Sequence, residues 1–206
     1  ADTLLEGTHF LPESDPRAVG WKTCAASLSD LAAMGCKPLW ALTGLGLRRS
    51  APADWARQFG EGLAACAEKY GISLVGGDIT SGSGPTSITL TAIGAPFPGG
   101  PMRRAGALQG DAVAVTGRLG GSILGRHLEF EPRLAESEWL CATGAVHAMM
   151  DLSDGLALDL RRLCRESRVG ARLQSDWIPV SGAARKMAEK EGAEAGSGSA
   201  LLHALG

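Results

Sequence analysis

The segment MDLSDGLALDL, residues 150–160, places three aspartates among leucines whose spacing indicates burial. Because an isolated carboxylate is costly to remove from water, each of Asp151, Asp154 and Asp159 needs a partner. A helix cap, a surface position and a bound cation are three ways to meet that need. Asp154, just before a predicted helix, suits an N-cap when taken alone. Asp159 is assigned to the polar side of that helix. It would be either a surface residue or a residue that supports a site from behind, without contacting the ligand.

Acidic residues recur where predicted strands or helices meet turns. They are Asp2, Asp30, Asp78, Asp151 and Asp154. Taken alone, Asp30 reads as a helix residue beside solvent, but the five together form a pattern. Ligands of open α/β sheets usually bind at strand ends, and oxygen ligands beside glycine turns suit Mg²⁺ that carries substrate phosphates. The glycine groups TGRLGGS and SGSGPTS are weak candidates for a phosphate cradle.

Several other kinds of site find no support in the sequence. The Walker A, HRD, DFG and GxSxG motifs are absent, and no cysteine has an evident histidine partner. No covalent nucleophile is therefore expected, and phosphoryl transfer would be direct, driven by positioning and metal charge. With 20 Lys+Arg against 22 Asp+Glu, the net charge of −2 argues against a nucleic-acid partner. No run of about 18 apolar residues could cross a membrane, so a cytoplasmic protein is predicted.

The elements that must position these acids form two α/β units on either side of the linker PFPGGP, residues 96–101. We therefore expect two domains, residues 1–98 and 99–206, with the start of the first and the end of the second missing. The predicted helices run from 18 to 35, from a cap at Ser50 to a stop at Gly71, over SILGRHL (122–128), through Trp139, and from Leu156 to a stop at Gly170. The predicted strands cover 39–47, 72–78, 86–95, 111–117, 146–150 and 171–180.

Four segments, in this order and spacing, resemble thiamine-monophosphate kinases, relatives of aminoimidazole ribonucleotide synthetase in an ATP-dependent superfamily. They are DTLLEGTHF, SLSDLAAMG, LVGGDIT and MDLSDGLALDL. The resemblance implies ATP-dependent phosphorylation of thiamine monophosphate to thiamine diphosphate, with several Mg²⁺ ions and no phosphoenzyme. It also implies a two-domain, synthetase-like mixed α/β fold. Its amino-terminal sheet-plus-helices domain would bind metal and ATP and form a homodimer, through strands such as 39–47 and 86–95.

The resemblance also implies roles for single residues. The metal-binding acids of the family fall on Asp2, Asp30, Asp78, Asp151 and Asp154. Gly77 and Asp78 belong to the nucleotide-binding turn, Arg104 and Ser153 fall on ATP-contacting positions, and His9 falls on a substrate-binding position.

This sequence also departs from the family pattern. An upstream GDDAA segment and a downstream GEDYEL segment are missing, which removes one metal ligand and part of the substrate pocket. Ala1 stands where Thr or Ser is usual, and Ser27 replaces a common Asn. Two alternatives stay open. One is another enzyme of the superfamily, such as an aminoimidazole ribonucleotide or selenophosphate synthetase, and the other is a catalytically inactive nucleotide-binding subunit.

Overall fold

The computed structural model describes residues 1–124 and 126–190. Its strands are β1 (Asp2–Leu5), β2 (Cys36–Arg48), β3 (Ser73–Gly82) and β4 (Ser87–Pro96). Its helices are α1 (Pro16–Ala33), α2 (Trp55–Tyr70), α3 (Arg126–Glu129), α4 (Leu134–Thr143), α5 (Leu156–Ser167) and α6 (Gly182–Lys190). The strands form one sheet in the order β1-β4-β2-β3, in which β2 and β3 are parallel and the other pairs antiparallel. The mixed α/β fold is thus confirmed.

Helices α1 and α2 pack on each other and, with one face of the sheet, enclose the main core. Helix α1 begins where the Asp15 side chain accepts a hydrogen bond from the Arg17 amide, next to Pro16 in the first turn. Two glycines allow the helices to approach closely. A Cβ at Gly20 would lie 2.1 Å from the Phe59 carbonyl oxygen, and one at Gly62 would lie 1.9 Å from that of Arg17. This packing fixes α1, which carries Asp30, against the sheet.

The other face of the sheet exposes apolar side chains. Trp40 and Leu42 of β2 and Ile93 of β4 are between 41% and 48% exposed, whereas Ala41 and Leu90 are fully buried. Alternation along each strand explains the difference, because successive side chains point to opposite faces. The exposed face lies on the two strands for which the family resemblance implied a role in dimerisation.

Beyond the linker, the structure differs from the expected second unit. The segments 111–117, 146–150 and 171–180 were predicted as strands, and this was wrong for the described residues. There, after β4, the only β-pairing is a bridge between Leu119 and Val180. A strand needs a hydrogen-bonded neighbour, which an apolar run cannot supply by itself. The boundary between 98 and 99 stays a prediction, and residues 191–206 of the second unit lie outside the described residues.

The two parts of the chain are nevertheless in contact. The Ser137 hydroxyl of α4 donates to the Ala32 carbonyl oxygen of α1 at 2.5 Å, and the Met102 amide donates to the Met34 carbonyl oxygen at 2.9 Å. These bonds bring the loops of the second part to the carboxyl end of α1. Among residues 1–124 and 126–190, no helix is both long and apolar enough to cross a membrane.

Candidate functional site: an acidic cluster beside an arginine loop

Three of the predicted metal-binding acids lie close together. Asp2 comes from β1, Asp30 from α1 and Asp151 from the loop before α5, and we call them the acidic cluster. The carboxyl groups of Asp2 and Asp30 are within hydrogen-bonding distance, and the charge of Asp151 acts on Asp30. Helix α1 supplies hydroxyl donors: Ser27 Oγ lies 3.0 Å from Asp2 Oδ2, and Ser29 Oγ lies 3.4 Å from Asp151 Oδ2.

The acidic cluster is short of positive charge. Burial, followed by repulsion from Asp2 and Asp151, raises the pKa of Asp30 to about 6. Burial, with a smaller repulsion from Asp159, also raises the pKa of Asp151, and a backbone hydrogen bond, the Ser29 hydroxyl and the charge of Arg104 partly oppose that rise. The pKa shifts therefore mark a place where a bound cation would be stabilised. The Arg104 guanidinium is near enough for its charge to act on the Asp151 carboxyl.

Asp154 and Asp159 have a different environment, at the turn that leads into α5. Asp159 Oδ2 accepts hydrogen bonds from the amides of Ser153 at 3.0 Å and Asp154 at 2.9 Å. Its Oδ1 accepts from Arg162 Nη1 at 2.8 Å, and the Arg162 guanidinium also pairs with the Asp154 carboxylate. The structure thus does not bring Asp154 into the acidic cluster.

A surface position for Asp159 was wrong, whereas the alternative of a supporting position behind a site agrees with its hydrogen bonds to the Ser153 and Asp154 amides. Its side chain is completely buried. Asp159 lies three residues after the buried Leu156, and residues three apart share a helix face, so the spacing could have placed it correctly. Nor is Asp154 the N-cap. Gly155 occupies that position with a φ of 97° and without a side-chain cap.

Gly77 and Asp78 lie within β3, away from the acidic cluster. In the register of the sheet, Gly77 pairs with Thr43, Thr43 with Leu90, and Leu90 with Asp2. Three strand spacings therefore separate Gly77 from Asp2 by about 14 Å, and Asp78, the next residue of β3, is about as far away. A Cβ at Gly77 would lie 2.2 Å from the Thr43 carbonyl oxygen, so only glycine fits at this position.

His9 follows β1, and its Nδ1 accepts the Leu5 amide at 3.0 Å. The nearby Lys22 of α1 was not found by sequence reasoning. Its Nζ donates to the His9 carbonyl oxygen at 2.6 Å and lies 3.3 Å from His127 Nδ1. Burial lowers the pKa of Lys22. Lys22 thus anchors the backbone on which the predicted substrate-binding histidine sits.

The donor set of the acidic cluster fits Mg²⁺, because it consists of carboxylate and hydroxyl oxygens. Across the described residues, no three His, Cys, Asp or Glu side chains are arranged to hold a metal ion by themselves. Mg²⁺ usually takes only one or two protein carboxylates and completes its shell with phosphates and water, so it does not need such a cage.

A separate open cleft of about 410 Å³ is lined by Glu6, Arg48, Arg49, Ser50, Ser83, Gly84 and Pro85. It contains none of the predicted site residues.

Two family models match the chain. Residues 1–95 match the N-terminal domain of AIR synthase related proteins, and residues 109–202 match the C-terminal domain. The thiamine-monophosphate kinase of Rhodopirellula baltica is 43% identical over 192 residues, which are 93% of this chain. The chain spans 60% of the length of that kinase.

Solved structures agree with this result. The thiamine-monophosphate kinase of Stenotrophomonas maltophilia K279a superposes with a TM-score of 0.86 at 36% identity, covering 99% of this chain and 69% of that one. AaThiL complexed with AMPPCP and TMP superposes with a TM-score of 0.89 at 30% identity, covering 99% and 69%. The chain therefore belongs to the thiamine-monophosphate kinase family.

Proposed function

We propose that this protein transfers a phosphoryl group from ATP to thiamine monophosphate, forming thiamine diphosphate by direct, Mg²⁺-assisted transfer. The observation that carries the proposal is the acidic cluster, in which the raised pKa of Asp30 and of Asp151 marks a place where a cation would be stabilised, within range of the charge of Arg104. The relative complexed with AMPPCP and TMP supports the same pair of substrates, because AMPPCP is an ATP analogue.

Each part of the site has a task in this proposal. Asp2, Asp30 and Asp151 would hold Mg²⁺, with one or two of these carboxylates to an ion, and the metal would supply positive charge to the transferring phosphoryl group. The Arg104 guanidinium binds phosphate oxygens, for which its fork of N–H donors is suited. Ser153 contacts the nucleotide from the turn before α5, and His9 contacts thiamine monophosphate. No covalent bond between a side chain and the phosphoryl group is required.

Asp78 and Asp154 need separate treatment. Asp78, about 14 Å from Asp2, cannot share an ion with it, because Mg²⁺ ligands lie at about 2 Å. Its proposed role therefore requires a second metal position, which agrees with the several Mg²⁺ ions that the family resemblance implies. Asp154 binds metal only if its carboxylate leaves Arg162, to which it is paired here. Nucleotide phosphates provide an alternative partner for that guanidinium.

We further propose that the protein is a homodimer joined through the open face of the sheet. The exposed side chains of Trp40, Leu42 and Ile93 support this, since a contiguous apolar surface favours association. The cytoplasmic location stays a prediction.

A coupled assay of the full-length protein with ATP, Mg²⁺ and a panel of phosphorylated acceptors tests the activity. Transfer should be greatest to thiamine monophosphate, and absence of transfer to it would refute the proposal. Transfer to another acceptor alone would favour the other enzymes of the superfamily.

Calorimetric titration with ATP tests the metal requirement. Affinity should fall strongly in EDTA, whereas equal affinity with and without Mg²⁺ would contradict metal-bridged binding.

A further inference from the structure

We infer that Ser167, at the carboxyl end of α5, is a positioning residue that fixes the loop bearing Arg104 for nucleotide binding. The inference rests on the proposed function of Arg104, and it extends that function to a residue outside the four family motifs.

The Ser167 hydroxyl makes three hydrogen bonds to one short loop. It donates to the Arg104 carbonyl oxygen at 2.7 Å, and it accepts from the amides of Gly106 at 3.2 Å and Ala107 at 3.1 Å. A serine hydroxyl has one donor hydrogen and two acceptor lone pairs, so these bonds use its full capacity. A single side chain thus ties down the backbone on both sides of residue 105.

The loop is also held at its two flanks. The Met149 amide donates to the Arg103 carbonyl oxygen at 3.0 Å, and the Leu108 amide donates to Asp111 Oδ2 at 2.8 Å. Gly106 has a φ of 130°, and a Cβ there would lie 2.5 Å from the His147 carbonyl oxygen. Between these flanks, the Ser167 hydroxyl connects the backbone around Arg104 to a regular helix.

Helix α5 thereby holds two parts of the proposed site at once. Near its start, the Asp159 carboxylate holds the amides of Ser153 and Asp154. At its end, Ser167 holds the backbone of Arg104, whose guanidinium lies close enough to Asp151 for its charge to affect that carboxyl. Because α5 is a regular helix, its length sets the distance between the Arg104 backbone and the turn that contains Ser153 and Asp154. Loss of the Ser167 bonds would leave Arg104 present but less well placed.

The test compares Ser167→Ala with the wild type in the full-length protein. The KM for ATP and the Kd for AMPPCP in the presence of Mg²⁺ should rise about tenfold, as expected for the loss of ordering hydrogen bonds. The KM for thiamine monophosphate should stay unchanged. Ser167→Thr keeps the hydroxyl and should restore most of the ATP affinity. In an Arg104→Ala background, Ser167→Ala should have little further effect, because the group that it positions is gone.

Thr143→Ala is the matched control. Thr143 is the last residue of α4, and its hydroxyl donates to the Leu140 carbonyl oxygen at 2.6 Å and accepts from the Ala145 amide at 3.2 Å. Like Ser167, it precedes a residue in the left-handed conformation. This variant should change the melting temperature alone.

An unchanged AMPPCP Kd in Ser167→Ala would overturn the inference, as would full additivity with Arg104→Ala. The direct binding measurement separates this result from a failure of the proposed function. If the wild type binds AMPPCP but does not phosphorylate thiamine monophosphate, the function fails while the role of Ser167 is still tested.

Discussion

Two groups of aspartates stand close to each other and differ in how their charge is balanced. In the acidic cluster, Asp2, Asp30 and Asp151 face one another, and the pKa of Asp30 rises to about 6 because of burial and repulsion. At the start of α5, Asp159 is more deeply buried, yet two backbone amides and Arg162 satisfy its oxygens. Burial alone therefore does not mark an aspartate as a candidate metal ligand. We propose that the distinguishing property is the balance between carboxylates and their protein partners.

This difference predicts effects of opposite sign. Removing a carboxylate from the turn at α5 should destabilise the fold, because it leaves amides and a guanidinium without their partner. Removing one from the acidic cluster should relieve repulsion and, at the same time, abolish metal binding. Stability and activity should thus separate the two groups.

The largest effect on stability is expected at Asp159. Replacement by Ala should lower the free energy of unfolding by about 3 kcal/mol, since two buried amides and Arg162 lose their acceptor. Urea unfolding measures the change. Asp154→Ala is the control, because it removes the other partner of Arg162 from an exposed position and should cost less than about 1 kcal/mol. An Asp159→Ala protein of wild-type stability would contradict the structural role of this carboxylate.

The largest effect on activity is expected at Asp151. Asp151→Asn keeps the shape of the side chain and removes its charge, so kcat/KM for ATP should fall by about 10²-fold or more. The melting temperature without metal should stay the same or rise. Steady-state kinetics and calorimetry of one preparation give both numbers. Full activity in this variant would remove Asp151 from the proposed metal site.

Asp154→Asn tests whether Asp154 acts with the acidic cluster or with Asp159. Its proposed metal role predicts a loss of activity comparable with that of Asp151→Asn, after its carboxylate has left Arg162. A loss of stability without loss of activity would place Asp154 with Asp159, as part of the support of the turn.

The sheet and its two long helices could be predicted from the sequence because their apolar periodicity is local. Helix α1, expected over 18–35, spans Pro16–Ala33, and the strand expected over 86–95 spans Ser87–Pro96. The strand predictions at 111–117 and 171–180 failed because pairing is not local: Val113 is 49% exposed without a neighbouring strand. In the described residues, the apolar pattern had no partner to pack against.

The site was only partly within reach for the same reason. Asp2, Asp30 and Asp151 are far apart in the chain, so their recurrence at turns and the motif resemblance, and not periodicity, suggested that they belong together. Asp159 was assigned to the polar side of α5 because its side chain is polar, although its position three residues after Leu156 places it on the buried face of that helix. Arg162 and Ser167 carry no motif. Their partners are backbone amides, carbonyl oxygens and distant carboxylates, which only the folded chain brings within reach.

The smallest predicted effect is the most direct test of the charge balance in the acidic cluster. In the folded protein the pKa of Asp30 is about 6, against an ordinary value of 3.8, so ionisation costs the folded state more than the unfolded chain. The contribution of Asp30 to stability should therefore be fully present below about pH 4 and be lost as the pH rises through 6. Asp30→Asn should be more stable than the wild type at pH 8 in EDTA by roughly 1 kcal/mol, a value reduced because the carboxyl is only half-buried. The advantage should vanish at pH 4, and Mg²⁺ should stabilise the wild type more than the variant.

Melting temperatures from pH 4 to 8 provide the measurement, with Asp54→Asn as a control at an exposed carboxylate that faces Arg57. A variant less stable than the wild type at pH 8 would show that the Asp30 carboxylate supports the fold, and it would contradict the place of Asp30 in the proposed metal site.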